Sequence, residues 1–231
     1  MKTPPIVAAE EWDAAWQEML VKEKELMRAR DALAAQRRRM PWMAVDKNYT
    51  FEGPEGRVSF LDLFDGRRQL IVYRAFIEPG TSDGDWPEHG CVGCSLMADH
   101  VPNLAHLNAR DTTFVYVSRA SQADLERMKS KMGWRHPWYT ILPSKDAAFD
   151  VDFGVQDWHG TNVFIRDNEN RVYRTYLVNG RGDEVFVNTW NLLDVTPLGR
   201  QEDWEDSPEG YPQDPPYEWW SWHDTYDQRT P

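Results

Sequence analysis

Two apolar runs limit the folds open to this chain more than any other feature of its sequence. They are LIVYRAF at 70–76 and TTFVYVS at 112–118, and both carry apolar residues at successive positions rather than at every second one. Such runs are typical of strands that are covered on both faces of a sheet. Because segments with helical patterns alternate with these strands, we predict an α/β fold with a central mixed sheet flanked by helices.

The other elements are predicted from periodicity and turn residues. Strands are expected at 58–60, 139–142, 161–167 and 171–177, and helices at 91–108, 122–132 and 183–193. Ser121 suits the start of the second of these helices, and Gly133 suits its end.

Residues 9–40 are predicted to form one long helix that ends before Pro41. Acidic residues in its first turn and the arginines at 37–39 in its last turn suit the helix dipole. Its apolar side chains recur at three- and four-residue spacing on one face: Trp12, Trp16, Met19, Leu20, Leu26, Met27 and Leu33. The sequence leaves open whether this face packs on its own domain or on a second copy.

The last segment, 201–231, has a composition of its own. It holds nine acids and one arginine, which is −8 of the chain's net charge of −12. It also carries seven aromatic residues: Trp204, Tyr211, Tyr217, Trp219, Trp220, Trp222 and Tyr226. We predict that this strap packs against the body or a partner subunit, or covers a site. The chain then divides into a helical extension at 1–44, a domain at 45–200 and the strap at 201–231.

Composition also excludes several classes of protein. An acidic chain without a basic groove is a poor match for nucleic acid, which is bound through its phosphates. No run approaches the roughly 18 apolar residues of a membrane helix, and MKTPPIVAAEEW lacks the pattern of a signal peptide. We therefore expect a cytoplasmic protein without nucleic-acid or membrane partners. With only two cysteines, a disulfide-stapled secreted fold is excluded.

The two cysteines form the strongest chemical signal, in Gly-Cys91-Val-Gly-Cys94 at the start of a predicted helix. Their spacing puts both sulfurs on one side of the first turn, close enough to form a disulfide or share a metal. Cys91 would face free backbone N–H groups, which stabilise a thiolate. We predict that Cys91 is a nucleophile and Cys94 its resolving thiol.

His159 is the second signal, because it stands directly before the predicted strand at 161–167. An imidazole there could reach the two sulfurs. Two thiolates and an imidazole suit Cu(I), or Zn(II) with a fourth ligand, so Cys91, Cys94 and His159 form a candidate copper site. A structural, hydrogen-bonded histidine is the alternative.

A substrate pocket is expected near the same edge of the sheet, where ligands gather in open α/β folds. Glu78 could transfer a proton or cap a loop, and His89 could support the Cys91 thiolate. Trp86 and Trp158 would give the pocket aromatic walls, unless they pack in the core.

Several blocks resemble a known family, among them EKELMRARDALAAQRRRMPW, GCVGCS, HLNARDTTFVYVSRA and KMGWRHPWYT. They are similar to a bacterial family catalogued as domain of unknown function 899, described as thioredoxin-like. RVSFLDLFDGRRQLIVY is also similar to the opening of peroxiredoxin-like and Sco-type copper-protein domains, and HGTNVFIRDNENRVYRTY resembles the His-bearing Sco hairpin. The resemblance implies a thioredoxin-like domain at 45–200, and its Sco aspect implies copper on Cys91, Cys94 and His159.

The leading functional prediction is a thiol–disulfide oxidoreductase that needs no cofactor and acts on a small-molecule or protein disulfide. The alternatives are a copper-binding protein or copper-dependent oxidoreductase, and a non-catalytic thioredoxin-like binding module. The N-terminal helix and the aromatic strap favour a homodimer.

Overall fold

The structure is a computed structural model that describes residues 2–79 and 90–226. One eight-stranded sheet forms its centre. The strands are β1 (Met43–Val45), β2 (Thr50–Gly53), β3 (Gly56–Ser59), β4 (Gln69–Arg74), β5 (Thr112–Ser118), β6 (Trp138–Leu142), β7 (Gly160–Arg166) and β8 (Val172–Val178). The helices are α1 (Ala9–Arg37), α2 (Val92–Asp99), α3 (Ala105–Asn108), α4 (Gln122–Met132), α5 (Phe149–Asp152) and α6 (Asn188–Leu193).

The strand order is β1-β8-β7-β4-β5-β6-β2-β3. The three central strands β4, β5 and β6 are parallel, while β7 and β8 form an antiparallel hairpin on the other side of β4. The chain thus runs from β4 through α2 to a parallel neighbour, and later returns as a hairpin followed by a helix. This is the thioredoxin-like arrangement, and the predicted fold class is confirmed.

A core lies on each face of the sheet, because side chains alternate along β4. Leu70 and Val72 point into one core, where Phe51, Phe149 and Phe164 pack together. Tyr73 points to the opposite face, into a core that includes Cys94. The cysteine pair therefore sits on the second of these faces, at the end of the sheet where β4 finishes.

The two apolar runs are confirmed as central strands, and α4 has the predicted bounds. The Ser121 hydroxyl accepts a hydrogen bond from the backbone N–H of Asp124, and Gly133 ends α4 with φ at 70°. Two helix predictions were wrong. The segment 91–108 forms α2 and α3 with a break between them, because Pro102 lacks an N–H and disfavours a helical residue before it. The segment 183–193 begins as a 3₁₀ turn over Gly180–Phe186 before α6.

The N-terminal helix is close to its predicted bounds and ends at Arg37. None of its residues is buried, so its apolar face does not pack on the described part of the body. The short strands β1 and β2 and the single turn of α5 were not predicted. No helix within residues 2–79 and 90–226 is long and apolar enough to cross a membrane.

Candidate functional site

The cysteine pair is placed by a glycine turn between β4 and α2. Gly90 has φ at +70°, and a Cβ there would lie 3.0 Å from the side chain of Ile77, so this position favours glycine on both grounds. Cys91 follows as the extended N-cap residue of α2 and is half-buried. Cys94 lies one turn further in and is only 1% exposed. Both are free thiols, and only Cys91 is accessible to a substrate.

The pKa of the Cys91 thiol is lowered from its ordinary value of 9.0 to about 6. The largest cause is a hydrogen bond from the Cys94 side chain. Burial opposes the shift, whereas the backbone N–H groups of Gly93 and Cys94 and the nearby His159 support it. These N–H groups belong to the first turn of α2, which has no earlier carbonyls to bind them. Cys91 is therefore mainly a thiolate at neutral pH.

Cys94 behaves in the opposite way. Burial raises its pKa well above the ordinary range, and the hydrogen bond and the charge shared with Cys91 raise it further. Its sulfur accepts hydrogen bonds from the Tyr73 hydroxyl at 3.5 Å and from the backbone N–H of Phe76 at 3.2 Å. The reduced pair thus holds its negative charge on the accessible sulfur and its proton on the buried one.

His159 is held by a buried carboxylate that the sequence analysis did not single out. Its Nδ1 lies 3.1 Å from Asp183 Oδ2, and Asp183 Oδ1 accepts a hydrogen bond from the Thr161 hydroxyl at 3.0 Å. Asp183 is 2% exposed and lies in the 3₁₀ turn before α6. Because a carboxylate only accepts, Nδ1 donates this hydrogen bond, and Nε2 is the ring nitrogen that does not contact Asp183. Nothing in the local sequence marks Asp183, since its contact depends on a turn distant in the chain.

A cavity of about 380 Å³ adjoins the cysteine pair. Gly93, between the two cysteines, and His159 both line it. Its wall is mainly apolar and includes the rings of Trp158, Trp190, Tyr217 and Trp220. Two of these rings come from the C-terminal strap, so the strap forms part of the site.

The strap is anchored on both sides of Cys91. The Trp222 indole N–H donates to the carbonyl of Gly90 at 3.1 Å. The Trp220 ring lies over Gly93, where an added Cβ would be 3.7 Å from it. Tyr217, Trp219, Trp220 and Trp222 all pack against the core on this face of the sheet. The prediction that the aromatic strap packs on the body is confirmed for these rings.

The buried carboxylate of Glu202 binds several residues of the strap to one another. Glu202 is fully buried and accepts hydrogen bonds from the indole N–H groups of Trp204 and Trp219 and from the backbone N–H of Tyr217, the last at 3.0 Å. The Tyr217 hydroxyl donates to Glu184 at 2.6 Å. Both ends of the tyrosine are thereby held at the edge of the cavity.

Of the described residues that were predicted for the substrate pocket, one lines the cavity and one does not. Trp158 lies in the cavity wall and is 57% exposed. Glu78 pairs instead with Arg74, and its other oxygen lies 3.6 Å from Arg119. It is not among the described residues that line the cavity. Trp86 and His89 lie outside the described residues.

A copper site is not assembled in the described part of the chain. Within residues 2–79 and 90–226, no group of three or more His, Cys, Asp or Glu side chains is placed to hold a metal ion. His159 is instead bonded to Asp183, and the Cys94 sulfur already accepts two hydrogen bonds. Copper on Cys91, Cys94 and His159 stays a prediction.

Comparison with known proteins gives one family and a set of distant folds. The model of a family described as "Bacterial protein of unknown function (DUF899)" matches residues 1–226. No curated protein sequence matches this one.

Solved structures are similar at low identity. A thiol:disulfide interchange protein from Bacteroides sp. is 15% identical with a TM-score of 0.41, over 67% of this chain and 91% of that one. The peroxidoxin BcpB from Mycobacterium tuberculosis is 12% identical with a TM-score of 0.42, over 67% and 98%. A yeast mitochondrial 1-Cys peroxiredoxin is 14% identical with a TM-score of 0.39, over 67% and 78%. The fold assignment rests on the strand order and the place of α2 in this chain itself.

Proposed function

The chain belongs to the DUF899 family of bacterial proteins, whose description names no activity, and we propose from its site that it is a thiol–disulfide oxidoreductase. The observation that carries the proposal is the asymmetry of the cysteine pair. Cys91 is half-buried with a lowered pKa, beside a buried Cys94 with a raised pKa. A reactive thiolate next to a protonated resolving thiol is the arrangement that disulfide exchange needs.

The reaction balances without a bound cofactor. The Cys91 thiolate attacks one sulfur of a disulfide R–S–S–R, the S–S bond breaks, and one thiolate RS⁻ leaves and takes up a proton. The Cys94 thiol then loses its proton and attacks the Cys91 sulfur of the mixed disulfide, which releases the second RS⁻. The substrate gains two electrons and becomes two thiols, while the pair becomes a Cys91–Cys94 disulfide. A dithiol reductant returns the pair to its reduced form.

His159 supports the second step in this proposal. Cys94 holds its proton tightly because it is buried, so its attack requires a proton acceptor. The imidazole lies close enough to Cys91 to affect its pKa, and Asp183 fixes the ring through Nδ1. We assign to His159 the transfer of the Cys94 proton to the leaving thiolate, because its ring lies beside that of Tyr73, whose hydroxyl is bonded to the Cys94 sulfur.

Alkylation of the reduced protein by iodoacetamide tests the state of Cys91. The rate follows the thiolate fraction, which grows as pH rises, so we expect a midpoint near pH 6 and a plateau at neutral pH. Cys94→Ala removes the largest cause of the lowered pKa and moves the midpoint upward. His159→Gln moves it upward by less, and slows release of the second thiol in a single turnover about tenfold or more.

His106→Gln is the matched control, because His106 is exposed on α3. It leaves both the midpoint and the release of the second thiol unchanged. A wild-type midpoint at the ordinary pKa of a cysteine would contradict the proposed nucleophile. If the midpoint lies near pH 6 but an added oxidised dithiol does not convert the pair to a Cys91–Cys94 disulfide, the proposed reaction is contradicted.

A further inference from the structure

We propose that the cavity beside Cys91 selects low-molecular-weight disulfides that carry an aryl or bulky apolar group, and that the strap excludes protein disulfides. This inference rests on the proposed function and names its substrate class. The cavity volume of about 380 Å³ falls in the range of small-molecule pockets, which is roughly 300–1,000 Å³. An aryl group bound in this cavity would lie between Gly93 and the aromatic wall.

The chemistry of the wall favours an apolar group. Trp158, Trp190, Tyr217 and Trp220 offer ring faces and edges, which bind another ring by stacking or by edge-to-face contact. The rings come from separate parts of the chain, which the fold has brought together around one volume. The strap alone contributes two of them.

The charged groups at the cavity already have partners. The Arg181 guanidinium lies 3.1 Å from Glu184, and Glu184 also accepts from the Tyr217 hydroxyl. Asp183 is bonded to His159 and Thr161. A substrate with several carboxylates, such as glutathione disulfide, would therefore meet no unpaired cation among the described lining residues.

The strap occupies the surface that a protein disulfide would need. A polypeptide substrate has to bring its backbone alongside the segment that flanks Cys91. The backbone carbonyl of Gly90 is already bonded to the Trp222 indole, and the Trp220 ring covers Gly93. A small disulfide has no such backbone to place, so its reaction with Cys91 does not require these rings to be displaced.

Two disulfides with the same sulfur chemistry test the substrate class. They are bis(2-phenylethyl) disulfide and bis(2-hydroxyethyl) disulfide, each assayed with dithiothreitol as the dithiol reductant and corrected for its uncatalysed rate. Burying a phenyl group predicts kcat/KM higher by about tenfold or more for the first compound. Trp220→Ala and Trp158→Ala lower this preference, whereas Trp12→Ala on exposed α1 does not. Insulin, as a protein disulfide, is reduced no faster than without the protein.

The outcomes separate this inference from the proposed function. Equal corrected rates for the two compounds, or insulin reduced as fast as the phenyl compound, would overturn the substrate class and leave the oxidoreductase standing. If no disulfide oxidises the cysteine pair, the proposed function itself fails. An unchanged Cys91 alkylation midpoint in the tryptophan variants shows that the cysteine pair is still folded.

A second, independent observation concerns α1, and we infer that it pairs with α1 of a second copy in antiparallel orientation. The helix has 29 residues and none is buried. Trp12, Met19, Leu26 and Leu33 follow one another at seven-residue intervals, and all are at least 46% exposed. Apolar side chains that repeat at this interval on an exposed helix favour packing against another helix.

The charges of α1 select the orientation. Residues 9–25 hold six acids and two lysines, for a net −4, and residues 26–39 hold five arginines and one aspartate, for a net +4. Two parallel copies would place like charges side by side, whereas two antiparallel copies place opposite charges together. A two-fold axis between Leu26 and Met27 puts Glu23 of one copy opposite Arg30 of the other. The same register places residue 20 opposite residue 33, so apolar side chains meet.

Charge reversal tests both the dimer and its orientation. Sedimentation of the full chain across a dilution series gives a dimer that dissociates in Leu26→Glu and weakens in Glu23→Arg. Adding Arg30→Glu to Glu23→Arg restores it, because the antiparallel pair then has its charges exchanged. A wild-type monomer, or a dimer that Leu26→Glu leaves intact, would overturn the inference, and so would a double variant as weak as Glu23→Arg. The cysteine alkylation midpoint stays unchanged in all of these variants.

Discussion

Replacing Cys91 by serine lowers disulfide exchange by about 10³-fold or more, because a hydroxyl in the same place is not ionised at neutral pH. Cys94→Ser gives a different result. Its Cys91 still attacks, so one thiol is released and a mixed disulfide accumulates that cannot be resolved. Stopped-flow measurement of released thiol, with intact mass spectrometry of the trapped species, distinguishes the two variants.

The two variants behave differently because the two sulfurs are buried to different extents. Cys94 is 1% exposed, so it cannot take over the first attack when Cys91 is absent. Serine at either position keeps nearly the same volume, and both variants should unfold at close to the wild-type denaturant midpoint. Comparable exchange by Cys91→Ser, or full turnover by Cys94→Ser, would contradict the assigned roles.

Replacing Glu202 by alanine detaches the strap and costs about 3–5 kcal/mol of unfolding free energy. The carboxylate is fully buried and accepts from three donors, two indole N–H groups and the Tyr217 backbone. Its loss leaves these donors without an acceptor and opens a void among the rings. Denaturant unfolding measures the cost, and limited proteolysis reports whether the segment after Glu202 is released.

Asp206→Ala is the matched control, because Asp206 is an exposed acid in the same strap. It should change the free energy of unfolding by less than about 0.5 kcal/mol. Glu202→Gln keeps an acceptor oxygen but adds an amide that also donates, and its stability should lie between those of the wild type and Glu202→Ala. A Glu202→Ala protein as stable and as protease-resistant as the control would show that the strap is held by its rings alone.

Much of the central sheet could be predicted because its strands are long and apolar. The runs at 70–76 and 112–118 became β4 and β5, and the cysteine motif between them fell at a helix start as its spacing indicated. Pro102 is the sequence signal for the break after α2, and the prediction of one helix over 91–108 does not take this signal into account. The strands β1 and β2 are three and four residues long, which is too short for a period of two to be read.

The site was harder to predict than the fold, because its contacts join distant parts of the chain. His159 stood out by its position before a strand, but its partner Asp183 lies 24 residues further on in an irregular turn. The aromatic residues of the strap were visible in the sequence, whereas the contacts of Trp222 with Gly90 and of Trp220 with Gly93 were not. Glu202, the buried carboxylate that bonds three donors of the strap, is in composition only one of nine acids in the segment.

Two rings of the cavity wall, Tyr217 and Trp220, come after every strand of the sheet in the order of synthesis. The cysteine pair and its sheet are complete before Tyr217 and Trp220 have been synthesised. A nascent chain can therefore fold its thiolate while the surface around Cys91 is still bare, since domains form as units during synthesis. The reactive thiolate can thus form before the part of the wall that selects the substrate. A chain that ended before the strap would keep the reactive cysteine and lose the selectivity.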